Sequence, residues 1–205
     1  MSIVVLISGR GSNLRALVAA GLPVVAVVST NAAAAGLEFA RAQGLPALTI
    51  LHGAHSTRDA FDDALAAAID RFNPRLVALA GFMRILTPGF AKRYAERLLN
   101  IHPSLLPAFP GLRTHARAIE SGAKIHGCTV HFVTAELDQG PIVIQAAVPV
   151  KADDDEDRLA ARVLAQEHRI YPLAVRWFLD GKLVIEDSVV RVREPGARQW
   201  LLADE

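Results

Sequence analysis

Short β-branched apolar runs alternate with stretches of helical periodicity through the first hundred residues, and this alternation constrains the fold more than any other feature. Ile3 to Ser8 ends in Gly-Arg-Gly and reads as a buried parallel strand, and Ser12 reads as the cap of a helix running to about Ala20. Pro23 to Ser29 is a second strand, Ala33 to Gln43 a helix closed by Gly44, and Pro46 to Ile50 a third strand. Ser56 or Thr57 caps a longer helix that carries Phe61, Leu65, Ile69 and Phe72 on one face. Arg75 to Ala80, a short helix from Thr87 to Tyr94, and Leu98 to Ile101 complete the series. Repeated strand–helix units imply right-handed crossovers, so the expected fold class is α/β, a doubly wound and mostly parallel sheet with a Rossmann-like N-terminal half.

Beyond residue 120 the pattern changes. His126 to Thr134 and Ile142 to Val150 are strands too close together for a helical crossover, so one edge of the sheet is expected to be mixed. Glu156 to Leu179 is the longest helical stretch, and Pro172 is expected to kink or divide it. Gly181 precedes a last hairpin, Lys182 to Glu186 and Val189 to Arg193, and the tail beyond Val192 has no assignable feature. With 205 residues, 52% of them hydrophobic, the chain reads as one domain over 1–205. Within it an N-terminal half spans about 1–100, a second half about 80–180, and the hairpin and tail about 181–205.

A net charge of +1 argues against a nucleic-acid partner. The apolar runs are too broken for a membrane span, and Met1-Ser2-Ile3 enters a strand without the marks of a signal peptide. The single cysteine, Cys128, excludes an intrachain disulfide, fits a cytoplasmic setting and reads as a small buried strand residue. The oligomeric state is not set by the sequence, which is compatible with a homodimer.

Chemistry concentrates in Asn100-Ile101-His102-Pro103 and in Leu137-Asp138-Gln139-Gly140. An amide and an imidazole two positions apart on an extended segment share a face, and both can donate to one developing oxyanion. A carboxylate on a separate Gly-flanked turn can handle the proton. With no Ser or Cys in a nucleophile motif nearby, the trio points to acyl transfer onto an amine that the substrate supplies. Gly9-Arg10-Gly11-Ser12-Asn13, between a strand and a helix, offers backbone amides to an anion. Leu14 replaces the third glycine of a dinucleotide fingerprint, and Ser29-Thr30-Asn31 stands where its acidic residue belongs. A monophosphate cradle with Ser12 and Asn13 as donors fits better, against the plainer reading of a tight turn with a Ser cap. Among the seven histidines, His126 and His131 are an odd number of residues apart on one strand and are expected to face opposite ways, and no metal-ligand spacing occurs, so no metal is expected.

Four ordered blocks now carry a resemblance: Gly9 to Asn13, Ala80-Gly81-Phe82-Met83-Arg84-Ile85-Leu86, Asn100 to Pro107, and Gly127 to Val133 running on to Asp138-Gln139-Gly140. The chain resembles the phosphoribosylglycinamide formyltransferases, folate-dependent enzymes of purine synthesis, from Val4 to at least Trp177. The resemblance implies that Asn100, His102 and Asp138 are catalytic and that no metal takes part. It implies that Gly11, Ser12 and Asn13 hold the phosphate of glycinamide ribonucleotide, with Leu164, Ala165, Gln166 and Glu167 on the rest of that substrate. It places 10-formyltetrahydrofolate, the co-substrate, against Met83, Arg84, Ile85 and Leu86 and against Thr134, Ala135, Glu136, Leu137 and Asp138, with Arg58 near its outer end. A cis peptide at Leu106-Pro107 is a further family trait. For Ile85 and Leu86 the alternative is ordinary core packing, and for Arg58 a solvated place in the first turn of its helix.

Two other enzymes share the formyl chemistry. Methionyl-tRNA formyltransferase resembles this core but carries an added C-terminal domain, for which 205 residues leave no room. Formyltetrahydrofolate hydrolase usually has an N-terminal regulatory domain, whereas here the first strand begins at Ile3. A nucleotide-binding module without catalysis is the reading from another class, and the joint presence of Asn100, His102 and Asp138 argues against it.

Overall fold

Apolar residues at every position of Ile3–Ile7 bury both faces of the first strand, β1, which places it inside a sheet covered on two sides. The structure, a computed structural model, describes residues 1–203. The chain forms two compact units: Met1–Asn100 with Val133–Ala135, and Ile101–Phe132 with the chain from Glu136 onward.

In the first unit β1 is followed by α1 (Ser12–Ala19), β2 (Val24–Ser29), α2 (Ala35–Ala42), β3 (Ala47–Thr49), a single 3-10 turn at His52–Ala54, α3 (Arg58–Asp70), β4 (Leu76–Leu79), α4 (Pro88–Arg93) and β5 (Leu98–His102), whose last two residues pass into the second unit. These strands pair in parallel, β1 with β2 and β4, β2 with β3, and β4 with β5. The order β5-β4-β1-β2-β3 reverses direction between β1 and β4, and the carboxyl ends of those strands are where open α/β sheets bind ligands. Gly9–Asn13 follows β1 there and Gly81–Leu86 follows β4. Helix α3 starts where Thr57 accepts from the Ala60 amide at 3.1 Å, a cap worth about 1 kcal/mol. Its Phe61, Leu65 and Ile69 join β1, β2 and β4 residues in one core, and each such buried side chain contributes roughly 1.5–3 kcal/mol. Thr87 caps α4 in the same way, with Pro88 in the first turn.

The second unit holds α5 (Thr114–Glu120), β6 (Ile125–Phe132), β7 (Ile142–Pro149), α6 (Glu156–Leu179), the hairpin β8 (Leu183–Glu186) and β9 (Val189–Val192), and β10 (Trp200–Leu202). β6 and β7 are antiparallel, and β10 adds to β7 in parallel. The sheet is therefore mostly parallel with a mixed portion, flanked by helices. β6 ends at Phe132, short of Thr134, and the Val133 amide donates to the Leu98 carbonyl at 2.9 Å.

Three sequence expectations change. Gly11, at φ 73°, occupies the position preceding α1, and Ser12 is the first helical residue rather than its cap. Pro172 lies inside one unbroken α6. The cost of a mid-helix proline, about 3 kcal/mol, is offset where Ile170, Tyr171, Ala174 and Val175 are all buried around it. The tail beyond Val192, without an assignment from sequence, supplies β10; its last two residues lie outside the described range. Cys128 is buried on β6, and desolvation pushes its thiol well above the usual range.

Candidate functional site

Two stretches after strand ends, strand β5 and the turn at Asp138 carry most of the candidate residues. After β1, the chain turns through Gly9–Gly11 into α1. A Cβ on Gly11 would sit 2.8 Å from the Gly36 Cα, and one on Gly36 would sit 2.5 Å from Ile7 Cδ1. Only glycines permit this approach, which the Gly36 amide closes by donating to the Gly9 carbonyl at 3.1 Å. The first amides of a helix lack intrahelical partners, so the start of α1 can take an anion. Asn13 is buried there and Ser12 half-buried. Thr30, where a dinucleotide fold would hold its acidic residue, instead pairs with Ser8 Oγ at 3.1 Å.

After β4, Gly81 accepts from the Ser8 amide at 3.1 Å, and the Met83 amide donates to Ser8 Oγ at 2.9 Å. Met83 and Ile85 are each 64% exposed, which excludes core packing for Ile85, whereas Leu86 packs against the core of the unit. Arg84 is exposed. Arg58 has a partner: its Nη2 donates to the Ile85 carbonyl at 2.8 Å, so it is tied to this segment.

β5 carries Asn100 and His102, two residues apart and therefore on one face of the strand, with Asn100 half-buried and His102 6% exposed. His102 Nε2 is 3.2 Å from the Phe109 carbonyl, a contact that requires Nε2 to carry its proton. Its Nδ1 lies 3.6 Å from Asp138 Oδ2, an electrostatic contact between two side chains that are each 8% exposed. The same Oδ2 accepts from the Gly111 amide at 2.8 Å, and Oδ1 is 3.9 Å from His131 Nε2. Burial holds His131 below the ordinary imidazole range, opposed by its bond to the Phe132 carbonyl and by the Asp138 charge. Asp138 itself has φ 56°, a left-handed conformation that Asp and Asn tolerate best among residues with a side chain. It stands in the turn Glu136–Gln139, with Glu136 and Leu137 exposed beside it, while Thr134 and Ala135 belong to the first unit. Leu106-Pro107 is cis.

On α6, Gln166 and Glu167 are buried, Leu164 is half-buried and Ala165 exposed, and Gln166 Oε1 accepts from Arg169 Nη1 at 2.9 Å. His126 lies against His115, at 3.2 Å, rather than with His131. Among the described residues no group of three or more His, Cys, Asp or Glu is arranged to hold a metal ion. Gly36, Phe109 and Gly111 do not stand out in the sequence, and His131 stands out there only for its spacing from His126. For Gly111 a Pro-Gly turn was a usable signal, whereas nothing in the chain ties Gly36 to Gly9 or His131 to Asp138 before the fold is known.

The first unit is a doubly wound α/β unit of the Rossmann-like class with a glycine-rich turn after β1, and the second holds the buried pair His102 and Asp138. The chain belongs to the formyl transferase family, whose model matches residues 1–175. It is 53% identical over 194 residues to the phosphoribosylglycinamide formyltransferase of Escherichia coli (strain K12), with 92% of each chain covered. It is similar to the crystal structure of glycinamide ribonucleotide transformylase 1 from Symbiobacterium toebii, with a TM-score of 0.93, 48% identity and coverage of 95% of this chain and 94% of that one. It is also 40% identical to the trifunctional purine biosynthetic protein adenosine-3 of Bos taurus, spanning 98% of this chain and 20% of that protein.

Among the described residues no helix is long and apolar enough to cross a membrane.

Proposed function

We propose that the protein transfers the formyl group of 10-formyltetrahydrofolate to the amine of glycinamide ribonucleotide, in a cytoplasmic setting. The observation that carries the reading is the buried pair of His102, on the strand that also bears Asn100, and the turn residue Asp138, at 3.6 Å. The uncharged amine attacks the formyl carbon, a C–N bond forms, and the carbonyl oxygen becomes an oxyanion. The Asn100 side-chain amide and the His102 imidazolium donate to that oxygen. The Asp138 carboxylate, which faces His102, accepts the proton of the attacking nitrogen, and this proton passes to N10 as the oxyanion collapses and the C–N10 bond breaks. Gly11, Ser12 and Asn13 hold the phosphate, and Leu164, Ala165, Gln166 and Glu167 the rest of the acceptor. Met83, Arg84, Ile85 and Leu86, with Arg58, and Thr134, Ala135, Glu136, Leu137 and Asp138 take the folate. The exposed apolar side chains of Met83, Ile85 and Leu137 support this, because a flat heterocycle needs apolar walls.

The test is formyl transfer from 10-formyltetrahydrofolate with the ribonucleotide, with the dephosphorylated riboside and with no acceptor. Turnover should require an acceptor. A charge-assisted anion contact of ~1.5–3 kcal/mol makes the riboside at least about tenfold poorer in kcat/KM. Rapid turnover without acceptor would make the protein a hydrolase, and equal use of riboside and ribonucleotide would remove the phosphate from the turn.

A further inference from the structure

A peptide segment that offers its backbone to a flat ligand works best when its shape is fixed beforehand, because ordering it on binding subtracts from affinity. Met83 to Thr87 has no regular secondary structure, yet three of its peptide groups are held by side chains of the same unit. The Met83 amide donates to Ser8 Oγ at 2.9 Å. The Ile85 carbonyl accepts from Arg58 Nη2 at 2.8 Å, and the Thr87 amide donates to Asp62 Oδ2 at 2.7 Å. Arg58 and Asp62 are four residues apart on α3, the spacing that aligns two side chains on one face of a helix. The positions held are alternate ones, 83, 85 and 87, while the amides and carbonyls of Arg84 and Leu86 make no bond to another described residue. Asp62 is 5% exposed. Burying a carboxylate to that degree is costly unless it is bonded, and its bond goes to this segment.

We propose that Asp62 and Arg58 are positioning residues for folate binding. They hold Met83 to Thr87 in the shape that leaves the peptide groups of Arg84 and Leu86 for the polar edge of the heterocycle. The inference rests on the folate placement proposed above. It separates two functions of α3, whose Phe61, Leu65 and Ile69 build the core while its first two turns shape the ligand segment.

The test uses the full chain with Asp62→Ala, Asp62→Asn and Arg58→Ala. Calorimetric affinities are measured for tetrahydrofolate and for glycinamide ribonucleotide, together with amide hydrogen exchange at Arg84 and Leu86. Asp62→Ala should weaken tetrahydrofolate by about tenfold and leave the ribonucleotide within about twofold, and Asp62→Asn, whose oxygen still accepts from Thr87, should restore most of the loss. In both alanine variants the two amides should exchange faster with no ligand present. Arg58 is exposed, so Arg58→Ala reads the idea even if Asp62→Ala does not fold. Equal weakening of both ligands, or unchanged tetrahydrofolate affinity in the variants that fold, would overturn the proposal. So would weaker binding in Arg58→Ala without faster exchange, which would mean that Arg58 only touches the ligand. If tetrahydrofolate fails to protect the Arg84 and Leu86 amides of the unaltered protein, the folate placement itself falls and the proposal with it.

Discussion

Asp138 combines two demands that few residues meet: it keeps a left-handed backbone and presents a carboxylate to His102, His131 and the Gly111 amide. Asn tolerates the same backbone region, so Asp138→Asn changes the chemistry while sparing the turn. The variant loses the proton acceptor, and kcat is expected to fall by about 10²–10⁴-fold with the unfolding midpoint little altered. Because His102 and Asp138 act as a unit in the proposed reaction, His102→Ala combined with Asp138→Asn should lose far less than the product of the single losses. Losses that multiply fully would contradict the pairing of His102 with Asp138, and an Asp138→Asn variant impaired only in KM would assign Asp138 to binding. The residues of this cluster differ in how far the sequence disclosed them. Asn100, His102 and Asp138 announce themselves by type and by position at strand ends and turns. His131 and Gly111 do not, since they reach Asp138 only through the path of β6 and of the loop before α5.

At the scale of elements, periodicity and caps were legible because they are local. α6 runs from Glu156 to Leu179 as its pattern predicts, capped where Asp155 accepts from the Arg158 amide at 2.8 Å. Thr57, one of the two caps weighed, is the one used. Elements whose existence depends on distant partners were not legible. α5 is a seven-residue helix with no side-chain cap, and β10 is three residues that are a strand only because β7 accepts them. The turn after β1 shows the same limit, since its Gly-rich composition was visible but its dependence on α2 was not. Gly36→Ala tests that dependence. The added Cβ would meet Ile7 Cδ1 at 2.5 Å, Gly11 Cα at 3.2 Å and the Gly9 carbonyl at 3.3 Å, so the Ile7 side chain must turn aside and the Gly9–Gly11 backbone must give by a few tenths of an ångström. The KM for the ribonucleotide is expected to rise about tenfold, with the folate KM nearly unchanged. Equal effects on both substrates would show that Gly36 matters only for packing.

Over the whole molecule, the protonation chemistry separates into two acid windows. Burial depresses His115, His126, His131 and His168, and His126, which is also opposed by the charges of His115 and His102, is lowered to about 4. The unfolded chain binds protons at these sites near 6.5 while the folded chain resists them, so it takes up protons on unfolding in this interval. Stability should therefore be full above pH 6.5 and fall as the pH drops below it, for His126 until about pH 4. Asp154 acts lower. Its oxygens are bonded to Arg162 at 2.7 and 2.8 Å, and that guanidinium, against the opposing effect of burial, holds the carboxyl down to about 2 from 3.8. A depressed carboxyl contributes stability above its unfolded value and loses it as pH falls through the folded one, here between 3.8 and about 2. Urea unfolding from pH 8 to pH 2 reads both windows. His126→Gln should flatten the slope between pH 6.5 and 4 and leave the lower window alone. Asp154→Asn should lower stability at pH 7 by an amount that shrinks only below pH 3.8. A difference between Asp154→Asn and the unaltered protein that stayed constant down to pH 2 would show that Arg162 does not act through the Asp154 charge.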